Sequence, residues 1–315
     1  MHSQRNERYS RPRQQLTRIN LINVYCNDKS YTNYNKKQLV LCNFNARSVK
    51  NKTTEIFDYI CESEADLLTI TEHWLTPRDA AIRAELCPNG YKMFAHPRLD
   101  RRGVGTGLIY HESLNVENID AGASVQGSYE FSEWIIKSPS HNLRIVVIYR
   151  PPYSANHPVS TSVFFTEFSE YLESLVLCKE QLLITGDFNI HVDDANDIDG
   201  ERFLDMLTSF GLNQHVNQPT HCNGPTLDLI VTRMSESLVT KMPHVDHFIS
   251  DHTAVLCWLD SVKPCLSVKT VSFRKLKSVE RDHFKRDLLA RPLCTGKQVS
   301  TINELNAYVK EYNTT

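Results

Sequence analysis

Residues 181–192 read QLLITGDFNIHV, and the fold turns on this stretch. The apolar run from Leu182 to Ile184 is too short for a helix. It stops at Gly186-Asp187-Phe188-Asn189, the kind of polar, glycine-containing break that ends a buried strand. Side chains two apart on an extended chain share a face. The spacing therefore predicts that Asp187 and Asn189 present a carboxylate and an amide together while Phe188 turns into the core.

Working outward, residues 161–178 place Phe164, Phe165, Phe168, Tyr171, Leu172 and Leu175 at helical spacing, a stripe read as core rather than as a ligand box. FSEWIIKS (131–138) and LRIVVIYR (143–150) are expected to pair antiparallel across the PSHN turn. Pro151 and Pro152 end the second strand because neither can donate to a ladder. RRGVGTGLIY (101–110) lacks the GxxxxGK[ST] order of a phosphate loop. Its glycines read instead as a close approach between a basic loop and a strand that begins near Leu108.

Further out, QLVLCNFNAR (38–47) is the first core strand, TTEIFDYICES (53–63) a helix, and ADLLTITEHWL (65–75) a buried strand opening into a polar loop. Downstream come an amphipathic helix at 201–210 and two strands, TLDLIVT (226–232) and HTAVLCWL (252–259). Many strands and few helices favour an α/β sandwich over regular βαβ repetition.

Of the 315 residues 41% are hydrophobic and 23% charged, enough for a real core. Nine cysteines lie singly between Cys26 and Cys294 without a CxxC pair, which argues against a disulfide framework or structural zinc and for a reducing compartment. No apolar run approaches the length of a bilayer span. The protein is expected to be soluble and intracellular, nuclear or cytoplasmic, with no membrane partner. Residues 1–20 carry a charge of +4 and residues 261–315 carry +6, so the net −2 leaves −12 on the 240 residues between them. The expected organisation is a basic extension at 1–36, one catalytic domain at 37–260 and a basic, helical linker at 261–315.

Polar groups recur where buried strands end: Asn45, Glu72, Asp187 with Asn189, Asp228, and Asp251 with His252. A single acid there is ordinarily a turn or cap residue. Repetition along one rim is different, because hard oxygen ligands suit Mg²⁺ and close carboxylates repel without a cation or a proton. Asp251 and His252 are adjacent, so they cooperate only across a turn. Asp228 is then available to orient the His252 ring.

The ordered series NFNARS, TEHWL, VVIYRPP, TGDFN, TLDLI and SDH resembles the endonuclease/exonuclease/phosphatase superfamily, also called DNase I-like. With RRGVGTG, FSEW and FRKL it is similar to the endonuclease domain of LINE-type, non-LTR retrotransposons. The resemblance covers about residues 38–259. It implies a four-layer α/β sandwich, two packed mixed β-sheets flanked by helices, with the site at one edge. It also implies Mg²⁺, with Mn²⁺ as a substitute, and hydrolysis of DNA phosphodiesters to a 3'-hydroxyl and a 5'-phosphate. Glu72 would be the principal metal carboxylate, with Asn45 and Asp251 contributing. Asp187 and Asn189 would position water and the scissile phosphate. His252, oriented by Asp228, would bind or protonate the phosphate, and Tyr149 would stabilise the pentacovalent phosphate or the leaving oxygen. The implied partners are DNA and a downstream reverse-transcriptase module.

Arg47, Lys50, Arg101, Arg102 and Arg150 are candidates for phosphate contact, Arg150 foremost. QPTHCNGPT (218–226) reads as an exposed loop before Asp228, and in the resembled family this region helps choose the nicked DNA shape. Its His221-Cys222 pair has no spaced ligand set for zinc. The acidic loop 193–201 lacks the order of an EF-hand and reads as solvated surface and helix capping. Two alternatives stand beside the nuclease: a phosphoesterase of the same superfamily, and an inactive remnant that binds nucleic acid or protein.

Overall fold

The computed structural model describes residues 38–96, 105–120, 127–138, 140–261, 280–290 and 301–313. The extension at 1–36, Arg101, Arg102 and the FRKL segment lie outside the described residues. In chain order the elements are β1 (Leu39–Asn45), α1 (Thr53–Ser63), β2 (Leu67–Thr71), α2 (Ala80–Leu86), β3 (Tyr91–His96), β4 (Thr106–His111), β5 (Asn115–Asp120), β6 (Glu130–Lys137), β7 (Leu143–Tyr149), α3 (Thr161–Leu175), β8 (Gln181–Asp187), α4 (Ile198–Ser209), β9 (Leu212–Gln214), β10 (Asp228–Arg233), β11 (His244–Phe248), β12 (Thr253–Leu259), α5 (Arg281–Leu289) and α6 (Ile302–Asn313). β1 to β12 with α1 to α4 lie in one compact unit, and α5 and α6 lie in a second. No helix among the described residues is long and apolar enough to cross a membrane.

Two six-stranded mixed sheets build the first unit, in the orders β11-β12-β1-β2-β4-β3 and β5-β6-β7-β8-β10-β9. Each has one parallel pair at its middle, β1 with β2 and β7 with β8, and antiparallel neighbours elsewhere. A helix links the strands of each parallel pair, α1 in one sheet and α3 in the other. The fold thus contains two βαβ crossovers set among hairpins.

Strand periodicity sorts the side chains into three apolar layers. Leu39 and Leu41 of β1, Leu143, Ile145 and Val147 of β7, Leu183 of β8, Ile230 of β10, and Val255 and Cys257 of β12 meet between the sheets around Trp134. Their alternate neighbours face outward. Cys42, Phe44, Leu68 and Ile70 pack against Ile56, Tyr59 and Ile60 of α1. On the other side Val146, Ile148, Leu182 and Ile184 pack against Phe164, Phe168 and Leu172 of α3 and Phe203 of α4. Helix, sheet, sheet, helix makes four layers, in which the inner strands β1, β7, β8 and β12 bury both faces. At about 25 cal/mol per Å² of apolar surface removed from water, this double burial is the main source of stability.

The expected pairing of 131–138 with 143–150 is present, with Phe131 opposite Ile148 and Ile136 opposite Leu143. Helix α4 starts three residues before the expected 201, because Asp197 caps it by accepting from the amides of Asp199 (2.9 Å) and Gly200 (3.2 Å).

Candidate active site

The same period-two alternation that fills the inner layer carries polar side chains to its rim. Asn45 lies two strand positions beyond Asn43, Tyr149 two beyond Val147, Asp187 two beyond Thr185, and Asp228 two before Ile230. All therefore point between the sheets. Asp187 is 1% exposed and Asp228 is inaccessible; protein groups hold both oxygens of Asp187 and Oδ2 of Asp228, while Asp228 Oδ1 has no hydrogen-bond partner among the described residues.

Those groups form a continuous network. Asp228 Oδ2 lies 2.7 Å from His252 Nδ1, and His252 Nε2 lies 4.0 Å from Asp187 Oδ2. The Asn45 amide donates to Asp187 Oδ2 (2.8 Å) and to Glu72 Oε1 (2.9 Å). The Tyr149 hydroxyl lies within electrostatic reach of Glu72. Asp251 pairs with Arg47 and faces His221 Nε2 at 3.7 Å.

The turn after β8 differs from the extended spacing expected for Asp187 and Asn189. The strand ends at Asp187, and Asn189 has φ +49°, in the left-handed region. Asp187 holds the turn itself: its Oδ1 accepts from the Asn189 amide at 3.0 Å and its Oδ2 from Asn189 Nδ2 at 3.1 Å. Asn189 Nδ2 also donates to the Arg150 carbonyl (2.8 Å), so both of its amide protons are committed. Gly186 permits the geometry. Its φ is +132°, and a Cβ there would stand 1.9 Å from the Ile148 carbonyl oxygen.

Arg150 corrects an expectation. It was read as a phosphate contact, yet it is 5% exposed and its guanidinium points inward. Nη1 donates to the carbonyls of Phe188 (3.3 Å) and Asn189 (2.9 Å), Nη2 donates to Thr161 Oγ1 (3.0 Å), and the group lies 5.3 Å from the Phe164 ring centroid. It braces the Asp187 turn against the first turn of α3. Arg47, in contrast, has a largely exposed side chain beside Asp251.

Charge in the network is unevenly held. Burial works against a charged His252 ring, but the charge and hydrogen bond of Asp228, with Asp187 and Asp251 behind them, outweigh it and push its pKa up to about 9. Burial and then the neighbouring Asp228 raise Asp187 above the usual carboxylate range, against the pull of His252 and Asn45. Burial, with the Glu72 and Asp187 charges beside it, pushes the Tyr149 hydroxyl far above its ordinary value and keeps it a proton donor.

Backbone strain collects at the same rim. Among the described residues, six besides glycine have positive φ: Arg47, Ser48, Glu64, Glu72, Trp74 and Asn189. All but Glu64 belong to the loops that carry the network, where neighbouring contacts hold such conformations in place.

The donors that remain open suit a hard divalent cation. Glu72 offers a partly exposed carboxylate, and among the described residues Asn45 Oδ1 accepts only from the Arg47 amide (2.9 Å). Asp251 Oδ1 is buried with no hydrogen-bond partner among the described residues. This is an all-oxygen set, as Mg²⁺ prefers. Two tighter groups have ligand atoms within 4.8 Å of one another, His221-Asp251-His252 and Asp187-Asp228-His252. Both use the His252 ring, which Asp228 already holds.

Several residues of the site escaped the sequence reading as contributors. His221 stands edge-on to His252 with ring centroids 4.8 Å apart. Thr220 Oγ1 accepts from the amides of Leu227 (2.9 Å) and Asp228 (3.0 Å). Ser250 Oγ donates to the Asn45 carbonyl (2.7 Å) and accepts from the His252 amide (3.0 Å), which builds the turn that Asp251 and His252 require. Trp74 Nε1 donates to Glu72 Oε2 at 3.2 Å. Threonine before TLD, serine before DH and tryptophan after TEH were the available signals.

Residues 143–256 match the family described as endonuclease-reverse transcriptase. No curated protein matches the chain. The endonuclease domain of TRAS1, a telomere-specific non-LTR retrotransposon, is 15% identical with a TM-score of 0.56, over 72% of this chain and 100% of that one. AP endonuclease LMAP from Leishmania major is 16% identical at 0.57, over 71% and 88% of the two chains. An AP endonuclease from Archaeoglobus fulgidus is 14% identical at 0.53, over 70% and 99%. These structures share the two-sheet α/β fold, and the family match spans residues 143–256 of this chain.

Proposed function

We propose that the chain is a divalent-metal-dependent DNA endonuclease that hydrolyses phosphodiester bonds, leaving a 3'-hydroxyl and a 5'-phosphate. The observation that carries this reading is the hydrogen-bonded series Asp228–His252 and Asp187–Asn45–Glu72 on one rim between the sheets. Mg²⁺, or Mn²⁺ in its place, held by Glu72, Asn45 and Asp251, would offset negative charge developing on the phosphate.

The protein residues supply the rest. His252, kept charged by Asp228, donates from Nε2 to a phosphate oxygen. Asp187, with its raised pKa, accepts the proton of the attacking water. Asn189 fixes the Asp187 carboxylate. Tyr149, always protonated, gives a neutral donor beside Glu72. Arg47 supplies exposed positive charge for the DNA backbone. A retrotransposon-derived setting, in which the nick primes a downstream reverse transcriptase, draws support from the match over 143–256 and from the likeness to the TRAS1 domain.

Nicking of supercoiled plasmid in Mg²⁺, with polymerase extension to detect the 3'-hydroxyl, tests the reading. Glu72→Ala, His252→Ala and EDTA should each abolish nicking. Nicking that survives all three, or hydrolysis of an inositol phosphate without any nicking, would reject it.

A further inference from the structure

We propose that Trp74 is a stacking platform for an unpaired nucleobase flanking the cut phosphodiester; this rests on the nuclease reading above. The other two tryptophans are accounted for by the fold. Trp134 is inaccessible in the core, and Trp258 lies under Lys241, whose Nζ is 3.3 Å from the ring centroid. Trp74 is 39% exposed, at the edge of the site, with its indole nitrogen tied to the Glu72 carboxylate.

The loop that presents it is held rigidly at some conformational cost. Glu72 has φ +50° and Trp74 φ +56°. His73 between them is buried, with Nδ1 accepting from the Leu75 amide (2.9 Å) and Nε2 3.2 Å from the Thr106 carbonyl. Gly105 makes room for that ring, since a Cβ there would lie 2.6 Å from it. An anchored histidine thus fixes an exposed tryptophan two residues from a site carboxylate.

The neighbouring loop carries two cations, Arg47 paired with Asp251 and Lys50 with Asp79 (2.8 Å), which would exchange those carboxylates for phosphates. The Ser48 amide donates to the Glu72 carbonyl (2.8 Å) and the Val49 amide to the His73 carbonyl (3.2 Å), which stitches the segment bearing Arg47 and Lys50 to the segment bearing Trp74. An aromatic face next to cations is the combination that holds a nucleotide, the ring taking the base and the cations its phosphates. In an intact duplex the base faces are stacked on one another and only their edges reach the grooves. The favoured substrate is therefore DNA with an unstacked nucleotide beside the cut: a single strand, a junction or a distorted duplex.

The test uses the full chain in EDTA with uncleavable phosphorothioate oligonucleotides. Single-stranded oligonucleotide should quench the tryptophan emission of the wild type, and Trp74→Phe should lose that quenching while keeping affinity within about threefold. Trp74→Ala should weaken single-strand binding, read by anisotropy of a labelled oligonucleotide, about tenfold. Its binding to a fully paired duplex should weaken by less than about twofold. Unchanged single-strand affinity in Trp74→Ala, or equal loss on both substrates, would overturn the proposal. Plasmid nicking reports separately: nicking with unaltered Trp74→Ala binding sinks the platform alone, and selective binding loss without nicking sinks the nuclease alone.

Discussion

Asp187 and Phe188 are consecutive, nearly inaccessible and on opposite sides of one sheet. Phe188 packs with Phe168 (5.8 Å between centroids) and Phe203 (5.2 Å) in a layer of apolar contacts without direction. Asp187 sits among groups whose every contact is a directed hydrogen bond or a charge. Both regions are buried. One is stabilised by burial and the other bears its cost, and the difference teaches that this protein uses its aromatic layer to hold a polar layer that would not stay buried alone.

The largest effect separates the two regions by readout. Glu72→Ala should lower the nicking rate at least ~100-fold while moving the urea unfolding free energy by less than about 1 kcal/mol, because the Glu72 side chain is itself partly exposed and the Asn45 amide keeps its bond to Asp187. A comparable loss of stability would erase the contrast. Phe188→Ala attacks the other side, and urea unfolding should show a loss of about 3–5 kcal/mol, as for other fully buried aromatics.

Arg150 belongs to both regions, so Arg150→Met sharpens the comparison further. It keeps an unbranched side chain in the space but removes the guanidinium from the Phe164 ring and leaves the carbonyls of Phe188 and Asn189 without their donor, which should cost about 1–3 kcal/mol. Nicking should fall through kcat with KM unchanged, whereas an arginine that binds substrate phosphate would raise KM.

The smallest effect concerns protons. His252 has its folded pKa raised from 6.5 to about 9, so its contribution to stability is fully present below 6.5 and is lost as pH rises through about 9. Asp228→Asn removes the charge that raises it. NMR titration of the ring should then show a lower pKa than in the wild type. The stability gap between the two proteins should also narrow across that window. An unshifted titration would mean that Asp228 does not hold the charge.

Much of the inner framework could be read directly. β1, β7, β8 and β12 bury both faces and so appear as dense apolar runs, and α3 carries an uninterrupted aromatic stripe. The peripheral pieces could not. β9 has three residues, β11 reads HVDHF, and α2 buries only Leu86, so pairing rather than composition makes them regular. At the site, residue types at strand ends were legible because parity fixes direction. The left-handed turns at Glu72 and Asn189 were not, since such conformations are imposed by distant partners such as Arg150 and Ser48. The inward aim of Arg150 was hidden for the same reason: nothing local distinguishes an arginine that spans to α3 from one that meets solvent.

The pairing of β1 with β12 carries a consequence in time. Asn43 lies opposite Val255 and Leu39 opposite Leu259, so among the described strands one of the first made is completed by the last. His252 immediately precedes β12, and Ser250 ties its turn to the Asn45 carbonyl. During synthesis Glu72, Tyr149 and Asp187 emerge well before the imidazole that completes the network. A ribosome-bound chain therefore lacks the complete network until its sheet is closed.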